Sequence, residues 1–369
     1  MLAFQYIEDD ASLAALVEQY QDADLLVLDT EFVRTRTYYA RLGLIQAYDG
    51  KTLALIDPLA VSNLDLFWQL LKKENSVKLL HSCSEDLEVF ARYGQCQPAN
   101  LFDSQIAAGL AGMGHGLGYA KLVEQTLEVS LDKGESRTDW LKRPLTEAQL
   151  NYAANDVYYL YKLYPQLVKL LEEQGRLDWV YEEGVRMTQG RLDTPDPETA
   201  YLKVKNAFQL SSNQLAVLRD LSQWRLKRAL QKDLALGFVV KDHALIALAK
   251  KQPKSTNDLF KMSELTEQEK RIHGKEIIKI ITSVSYDNPP KPLDVIALKT
   301  GYKNAFKSIK NCITEQAEAK SIPLELLGSK KYIHEYLQWI WDAKKGDKPL
   351  ILKGWREAIV AEPLSELKL

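Results

Sequence analysis

Residues 25–39, LLVLDTEFVRTRTYY, decide the fold of this 369-residue chain. The four apolar residues at 25–28 predict a buried strand. Asp29 and Glu31 follow two positions apart, so on a strand their side chains leave the same face of the sheet. Neighbouring carboxylates repel each other and are costly to bury without a cation. The pair therefore indicates a site for a hard divalent metal ion, which prefers oxygen ligands, although a solvated strand end would give the same pattern.

Basic and aromatic residues alternate directly beyond this pair. Arg34, Arg36 and Arg41 can form paired hydrogen bonds with phosphate, and Tyr38 and Tyr39 offer rings on which bases stack. The combination favours a surface for nucleic acid. The alternative interpretation is an ordinary polar loop.

The composition is that of a globular protein. The chain is 46% hydrophobic and 27% charged, and its length suits two or three domains. No N-terminal stretch joins a basic region to an apolar core, and no apolar run is long enough to span a membrane, so we expect a cytoplasmic protein without a membrane partner. The three cysteines form no CxxC pair, which argues against a disulfide framework and against a zinc site.

Charge is unevenly distributed along the chain. Residues 1–200 carry 31 acidic and 18 basic side chains, a net charge of −13, whereas residues 201–369 carry 19 acidic and 30 basic ones, a net charge of +11. This asymmetry indicates an anionic partner, such as nucleic acid, for the second half. Lysine-rich solvated helices would give the same excess without any partner.

Strand and helix patterns are mixed in the first half of the chain and helical patterns follow. Two short apolar runs flank Asp49 and Gly50, which predicts a β-hairpin. Thr146 opens a long helix with Gln149 as its capping-box partner, and Pro165 is expected to kink or interrupt that helix. The mixture predicts an α/β domain with a mixed sheet. Proline-rich breaks at 194–197 and 288–292 then divide the helical part.

Three short motifs resemble those of the DEDD 3′–5′ exonucleases of the tyrosine subclass. They are Asp29-x-Glu31, Asp86 within HSCSED, and Tyr152 followed four residues later by Asp156. The longer runs at 28–46 and 131–146 are similar to the ribonuclease D family. Residues 209–283 resemble the helicase-and-RNase-D C-terminal (HRDC) domain of that family, and residues 293–369 resemble a second, divergent copy.

This resemblance implies an α/β ribonuclease-H-like mixed-sheet exonuclease domain followed by two small all-α helical domains. The expected bounds are 1–175 for the exonuclease domain, 176–207 for a linker region, 208–287 for the first HRDC domain and 293–369 for the second.

The resemblance also implies roles for the five motif residues. Asp29, Glu31, Asp86 and Asp156 would hold two divalent metal ions, Mg²⁺ or Mn²⁺. Tyr152 would orient the attacking water, because a phenol with a pKa of about 10 is a poor general base at neutral pH. The alternatives for Tyr152 and Asp156 are core packing and a solvated surface charge.

Further residues are candidates for contacts with the substrate. Phe32 could stack on the terminal base or pack in the core, and His81 could hydrogen-bond in the site or pack at the end of a strand. The candidate phosphate contacts are basic side chains, some of which we expect to be merely solvated: Arg34, Arg36, Arg41, Lys133, Arg137 and Arg143.

The expected function is that of a monomeric, metal-dependent 3′–5′ exoribonuclease. It would trim the 3′ ends of structured RNAs, with tRNA precursors as the family's expected substrate, and would release nucleoside 5′-monophosphates. A DNA 3′–5′ exonuclease and a non-catalytic RNA-binding scaffold with a relic nuclease fold are the alternatives. Because all five motif residues precede Val204, a fragment ending near that residue is expected to keep cleaving and to bind structured RNA more weakly.

Overall fold

A computed structural model describes residues 2–131 and 134–369, which form two compact units. The first unit combines residues 1–33, 41–192 and 296–369, and the second combines residues 34–40 and 193–295. The chain therefore leaves the first unit and returns to it, so the two helical regions predicted for the second half belong to different units.

One mixed sheet of six strands organises the first unit. The strands are β1 (Gln5–Ile7), β2 (Leu25–Val33), β3 (Arg41–Tyr48), β4 (Leu53–Ile56), β5 (Val77–Leu80) and β6 (Leu101–Asp103). Their order across the sheet is β1-β4-β3-β2-β5-β6. Strands β2, β3 and β4 pair antiparallel, while β1 is parallel to β4, and β5 is parallel to both β2 and β6. The strand that carries Asp29 and Glu31 therefore lies inside the sheet, paired on both sides.

A β-bulge shifts the pairing register of β2 with β3 near the end of this central strand. Glu31 pairs with Leu44, but the next residue, Phe32, pairs with Leu42, so Gly43 has no partner across the ladder. A side chain at Gly43 would lie 2.6 Å from the carbonyl oxygen of Trp140. Glycine at this position thus lets the loop that carries Trp140 pack directly on the strand.

Among the described residues up to 192, seven helices pack in the first unit. They are α1 (Asp10–Gln19), α2 (Asp65–Leu71), α3 (Ser84–Val89), α4 (Ser104–Leu110), α5 (Tyr119–Leu127), α6 (Glu147–Glu173) and α7 (Leu177–Thr188), with a π-helical turn at Phe90–Gly94. The predicted capping box of Thr146 and Gln149 starts α6. This helix runs through Pro165 without interruption, so of the two expected effects of the proline, a kink or an interruption, the interruption is wrong.

Helix α7 corrects the prediction of a linker at 176–207. Its Val180, Glu183 and Gly184 are buried, and a side chain at Gly184 would lie 2.3 Å from the carbonyl oxygen of Leu101. The first part of the expected linker is therefore a packed helix of the first unit.

The second unit is helical. It contains α8 (Ser212–Lys232), α9 (Leu236–Val239), α10 (Asp242–Lys251), α11 (Thr256–Phe260) and α12 (Glu267–Ser283), with short 3₁₀ turns at Ala200–Lys203 and Ala207–Gln209. Its residues hold 19 basic and 13 acidic side chains, a net charge of +6, and residues 296–369 hold 13 and 9, a net charge of +4. The basic charge of the second half is thus shared between the two units.

The C-terminal residues complete the first unit. They form α13 (Tyr302–Ala319), α14 (Leu324–Gly328), α15 (Lys330–Trp341) and α16 (Gly354–Ser365), with short 3₁₀ turns at Ile296–Leu298 and Leu350–Leu352. Arg356 Nη1 donates to Glu183 Oε1 at 2.5 Å, and both side chains are buried. The rings of Trp355 and Trp179 stack with their centroids 4.9 Å apart. This buried ion pair and ring stack fasten the last helix to α7.

Over residues 2–131 and 134–369, no helix combines the length and the apolar character needed to cross a bilayer. Cys83, Cys96 and Cys312 are buried free thiols.

Candidate active site

Three of the predicted carboxylates meet where β2 faces α6. Asp29 and Glu31 share a face of β2, and Asp156 lies in the third turn of α6. One carboxylate oxygen from each of the three lies within 4.8 Å of the others. Residues more than a hundred positions apart in sequence are therefore brought to the spacing of ligands around a single cation.

Asp86 joins this group from the first turn of α3, after β5. It is buried, and one of its carboxylate oxygens accepts a short hydrogen bond from the Thr30 hydroxyl. Its charge contributes to the raised pKa of both Asp29 and Glu31, which places it beside them. The four predicted carboxylates thus form one cluster, with Asp86 at its border.

The pKa values of the four carboxyl groups rise because of burial and mutual repulsion. Burial, followed by the charges of Asp86, Asp156 and Glu31, holds the pKa of Asp29 well above its ordinary value. Burial and its neighbours raise the pKa of Glu31 to about 9. Burial raises the pKa of Asp156 to about 8 and that of Asp86 to about 6, the latter against the opposing hydrogen bond from Thr30.

No lysine or arginine in the described part of the chain forms an ion pair with this cluster. Gln46, opposite Asp29 across the β2–β3 ladder, is fully buried, and neither atom of its amide has a hydrogen-bond partner among the described residues. Buried and partly buried carboxylates without a counter-charge, beside an amide without a partner, are an oxygen donor set that suits Mg²⁺ or Mn²⁺. The residues present therefore fit a divalent metal.

Tyr152 lies on the same face of α6 as Asp156, one turn earlier, and is half-buried. Its ring centroid lies 6.1 Å from that of Trp140, whose backbone rests on Gly43. Burial and then the charge of Asp156 raise the pKa of the phenol above its ordinary value. Tyr152 is therefore a neutral hydroxyl group at neutral pH, held by Trp140.

A cavity of about 190 Å³ adjoins these two residues. Its walls include Tyr152, Asp156, Asn155, Asn151 and Glu135. The cavity links the carboxylate cluster to the loop that precedes α6.

Tyr119 and Gln46 belong to the surroundings of the site but lie outside the three short motifs. The Tyr119 hydroxyl donates to the backbone oxygens of Asn155 at 3.0 Å and Asp156 at 2.5 Å, and thus fixes the part of α6 that carries the carboxylate. Nothing local in the sequence marks Tyr119. Gln46 did carry a signal, since it is a lone polar residue within the apolar run of β3.

Two predicted substrate contacts are occupied by other parts of the protein. Arg143 donates from Nε and Nη2 to the Asp57 carboxylate at 2.5 and 2.7 Å, and from Nη2 to the Gly43 carbonyl at 2.6 Å. These hydrogen bonds hold the loop that precedes α6, so the donors of Arg143 are not available to phosphate. The prediction of Arg143 as a phosphate contact is therefore corrected. His81 Nδ1 lies 2.9 Å from Ser104 Oγ, and burial lowers the pKa of the imidazole, so packing is the better description of this residue.

The other candidate contacts are dispersed. Phe32 is half-buried, and Arg41 and Arg137 are exposed in the first unit. Arg34 and Arg36 belong to the second unit, where Arg34 donates to the Tyr38 carbonyl and Arg36 lies 5.8 Å from the ring centroid of Phe238. Lys133 lies outside the described residues. The contacts described above do not place Phe32, Arg34, Arg36, Arg41 or Arg137 at the carboxylates.

Comparison with known proteins shows the family to which this chain belongs. Residues 4–172 match the family model of 3′–5′ exonucleases, residues 214–281 that of the HRDC domain, and residues 300–364 that of the ribonuclease D C-terminal HRDC domain. The chain is 68% identical to ribonuclease D of Shewanella sp. (strain ANA-3) over 99% of its length and 94% of that protein. The chain belongs to the ribonuclease D family.

Other ribonuclease D relatives agree. Ribonuclease D of Escherichia coli (strain K12) is 41% identical over 99% of this chain and 98% of that protein. A crystal structure of Escherichia coli RNase D, described as an exoribonuclease involved in structured RNA processing, superposes with a TM-score of 0.94 at 40% identity, covering 99% of this chain and 98% of that one.

Membership of the ribonuclease D family confirms the predicted fold class and makes the chain a 3′–5′ exoribonuclease. The exonuclease fold implies the use of a divalent metal, and the acidic cluster of Asp29, Glu31 and Asp156 is the group of side chains that suits one.

Proposed function

We propose that the chain removes nucleotides one at a time from the 3′ ends of structured RNAs and releases nucleoside 5′-monophosphates. The observation that carries this proposal is the cluster of four carboxylates, two of them buried and two partly buried, without a counter-cation and beside Tyr152. Such a cluster favours metal-assisted attack of water on a phosphodiester bond.

Asp29, Glu31, Asp86 and Asp156 are the residues that would hold two divalent metal ions, Mg²⁺ or Mn²⁺. When bound, such a pair of ions activates water and stabilises the leaving 3′-oxygen of an in-line displacement. The four carboxylates would contribute the negative charge that retains the ions, and phosphate oxygens of the RNA would supply further ligands, because Mg²⁺ is commonly held by few carboxylates together with substrate.

Tyr152 acts by position. Its raised pKa excludes it as a base at neutral pH, but its hydroxyl can hold the attacking water in line with the scissile bond. The ring contact with Trp140 and the loop held by Arg143 and Asp57 restrict the motion of Tyr152. Arg143 therefore acts indirectly, by holding the loop whose Trp140 contacts Tyr152.

RNA is the proposed partner, and tRNA precursors with extra 3′ nucleotides are the proposed natural substrate. The relatives of this chain are ribonucleases, which supports RNA over DNA as the substrate. Escherichia coli RNase D is involved in structured RNA processing, which supports a structured RNA. The 190 Å³ cavity beside Tyr152 is the proposed place of the terminal nucleotide. A monomer in the cytoplasm remains our prediction.

A single experiment tests the reaction. A 5′-labelled RNA hairpin with an unpaired 3′ tail is incubated with the protein and Mg²⁺ or Mn²⁺, with and without chelator, beside a DNA strand of the same sequence. We expect a ladder of 3′-shortened RNA, mononucleotide 5′-phosphates, no reaction with chelator and slower DNA cleavage. Cleavage that persists in chelator, or internal cuts, would refute the proposed chemistry.

A further inference from the structure

An open groove of about 380 Å³ lies in the C-terminal helical region, away from the carboxylates in sequence. We call it the α13 groove, and its walls include Tyr302, Phe306, Lys310, Leu324, Lys330 and Ile333. Its volume falls within the range of about 300–1,000 Å³ typical of sites that take a small organic group.

Two rings of α13, Tyr302 and Phe306, line the groove, and His334 packs against both of them. The ring centroids of Tyr302 and Phe306 lie 5.5 Å apart, and His334 lies 5.5 Å from Tyr302 and 5.7 Å from Phe306. A 2.7 Å hydrogen bond joins Tyr302 Oη to His334 Nε2. All three side chains are only half-buried, so the cluster is fixed by internal contacts and still presents ring surface to the groove.

Lysines flank these rings, and Glu325 is the acidic residue among the walls of the groove. Lys303, Lys307 and Lys310 lie in the first nine residues of α13, and all three are exposed. None of them forms an ion pair with a residue of the described chain. Lysines near the positive end of a helix, with two of them one turn apart, are unfavourable for the helix itself.

The start of α13 adds to this excess. Its N-cap residue, Gly301, supplies no side-chain cap, and the first turn has no acidic residue. Glu315 and Glu318 lie in the C-terminal half of the same helix. The half of α13 next to the groove is therefore basic and uncapped, which suits an anion.

We infer that the α13 groove binds an unpaired nucleotide of the RNA, its base stacked on Phe306 and Tyr302 and its phosphates on the lysines of α13. Aromatic platforms flanked by cations are the usual means of holding single-stranded nucleic acid without reading its sequence. An acidic protein segment would use the lysines but would leave the half-exposed rings without an equivalent stacking partner.

The groove lies in the same compact unit as the carboxylates. A side chain at Gly109 of α4 would lie 2.7 Å from Leu326 of α14, and His115 Nδ1 lies 3.9 Å from Glu325 Oε2. The loop that carries His115 leads into Tyr119, whose hydroxyl contacts the backbone of Asp156. The groove therefore has a defined position relative to the proposed reaction centre, and this inference rests on the exoribonuclease function proposed above.

The test compares two substrates. One is the hairpin RNA with an unpaired 3′ tail, and the other is a short single-stranded oligonucleotide that reaches only the carboxylate site. Phe306→Leu should raise KM for the hairpin about 5- to 100-fold, the equivalent of losing one stacked base, with kcat unchanged. It should leave both constants unchanged for the short oligonucleotide. Phe306→Tyr, which keeps a ring, should behave as wild type.

The double variant Lys303→Gln/Lys307→Gln changes only exposed side chains and keeps the inference testable if Phe306→Leu misfolds. It should reduce the slope of log KM against log salt by roughly 0.7 for each phosphate group that the protein no longer neutralises. Lys345→Gln/Lys368→Gln removes the same charge from exposed positions outside α13, and should not change the slope.

Ultraviolet crosslinking of the hairpin to full-length protein, followed by peptide mapping, gives a direct readout. We expect crosslinks at Tyr302 or Phe306. Wild-type kinetics for both the Phe306→Leu and the lysine variants, without such crosslinks, would overturn the inference and assign the groove to packing or to a protein partner. If wild type cleaves neither RNA, the exoribonuclease proposal fails first.

Discussion

The carboxylate cluster predicts an unusual pH dependence for the metal-free protein. The folded-state pKa values of Glu31 and Asp156, about 9 and about 8, lie above the ordinary values of 4.5 and 3.8. Because folding raises these pKa values, the folded state holds protons that the unfolded chain releases. The associated stability is complete below about pH 4 and is lost as pH rises toward 9.

The magnitude follows from the size of these changes. One pKa unit corresponds to about 1.4 kcal/mol, so either group alone sets an upper limit of about 6 kcal/mol. Glu31 is partly exposed to water and the groups share one repulsion, so we expect a loss of about 2–4 kcal/mol for the cluster between pH 5 and pH 9. For a unit of this size the melting temperature should fall by about 5–10 °C.

Thermal unfolding in chelator, followed by tryptophan fluorescence, measures this effect in the first unit, because only Trp224 of the seven tryptophans lies in the second. Saturating Mn²⁺ should remove most of the pH dependence, since the bound cation keeps the carboxylates ionised. Glu31→Gln removes one repelling charge and should flatten the curve in chelator. A wild-type melting temperature that is constant or rises from pH 5 to pH 9 in chelator, and equals that of Glu31→Gln throughout, would refute the reasoning.

Three substitutions test the individual roles. Asp29→Asn should lower kcat at least 10- to 100-fold, the cost of disturbing even the outer surroundings of a metal site, while keeping the fold; near-normal turnover would contradict the ligand role. Tyr152→Phe should lower kcat with little change in the metal concentration for half-maximal activity, and a large loss of metal affinity would show that the residue is a ligand instead. Gln46→Leu should stabilise the metal-free protein by about 1–3 kcal/mol, because it removes a buried amide without partners, yet lower the rate; denaturant unfolding and single-turnover cleavage measure the two effects, and equal rates would assign Gln46 to packing.

The parts of the site that follow from local spacing could be predicted from the sequence. Asp29 and Glu31 are two residues apart on a strand, and Tyr152 and Asp156 are four apart on a helix, so each pair shares a face. The prediction that these two pairs meet, and that Asp86 joins them, followed from the resemblance of the motifs to those of a known family. The structure brings them together across the β2–α6 contact.

The supporting contacts could not be predicted because their partners lie far apart in sequence. Arg143 reads as one more phosphate ligand in a basic loop, yet it pairs with Asp57, 86 residues away. The unpartnered Gly43 of the bulge is visible only in the register of β2 and β3. No local pattern distinguishes such residues from solvated ones.

In helix α7, a buried charged residue kept the sequence pattern from predicting a packed helix face. Glu183 lies on the buried side of α7, where a sequence pattern requires an apolar residue, and it is buried because Arg356 and Arg186 neutralise it. The helix therefore resembled a linker. A fragment ending near Val204 retains all five motif residues but lacks Trp355 and Arg356. We therefore expect it to be unstable, because it lacks residues 296–369 of the first unit and one of the two arginines that neutralise Glu183.

The ion pair between Glu183 and Arg356 also limits when the first unit can finish folding during synthesis, because it cannot form before Arg356 has been made. Its partners are separated by 173 residues, which at about 5–20 residues per second corresponds to about 10–35 s of synthesis. Residues 193–295 are complete before that interval ends, whereas the surface of α7 remains uncovered until the last helix emerges. The nascent chain therefore leaves this surface of α7 uncovered for slightly less than half of its translation, and α7 is among the last parts of the first unit to be enclosed.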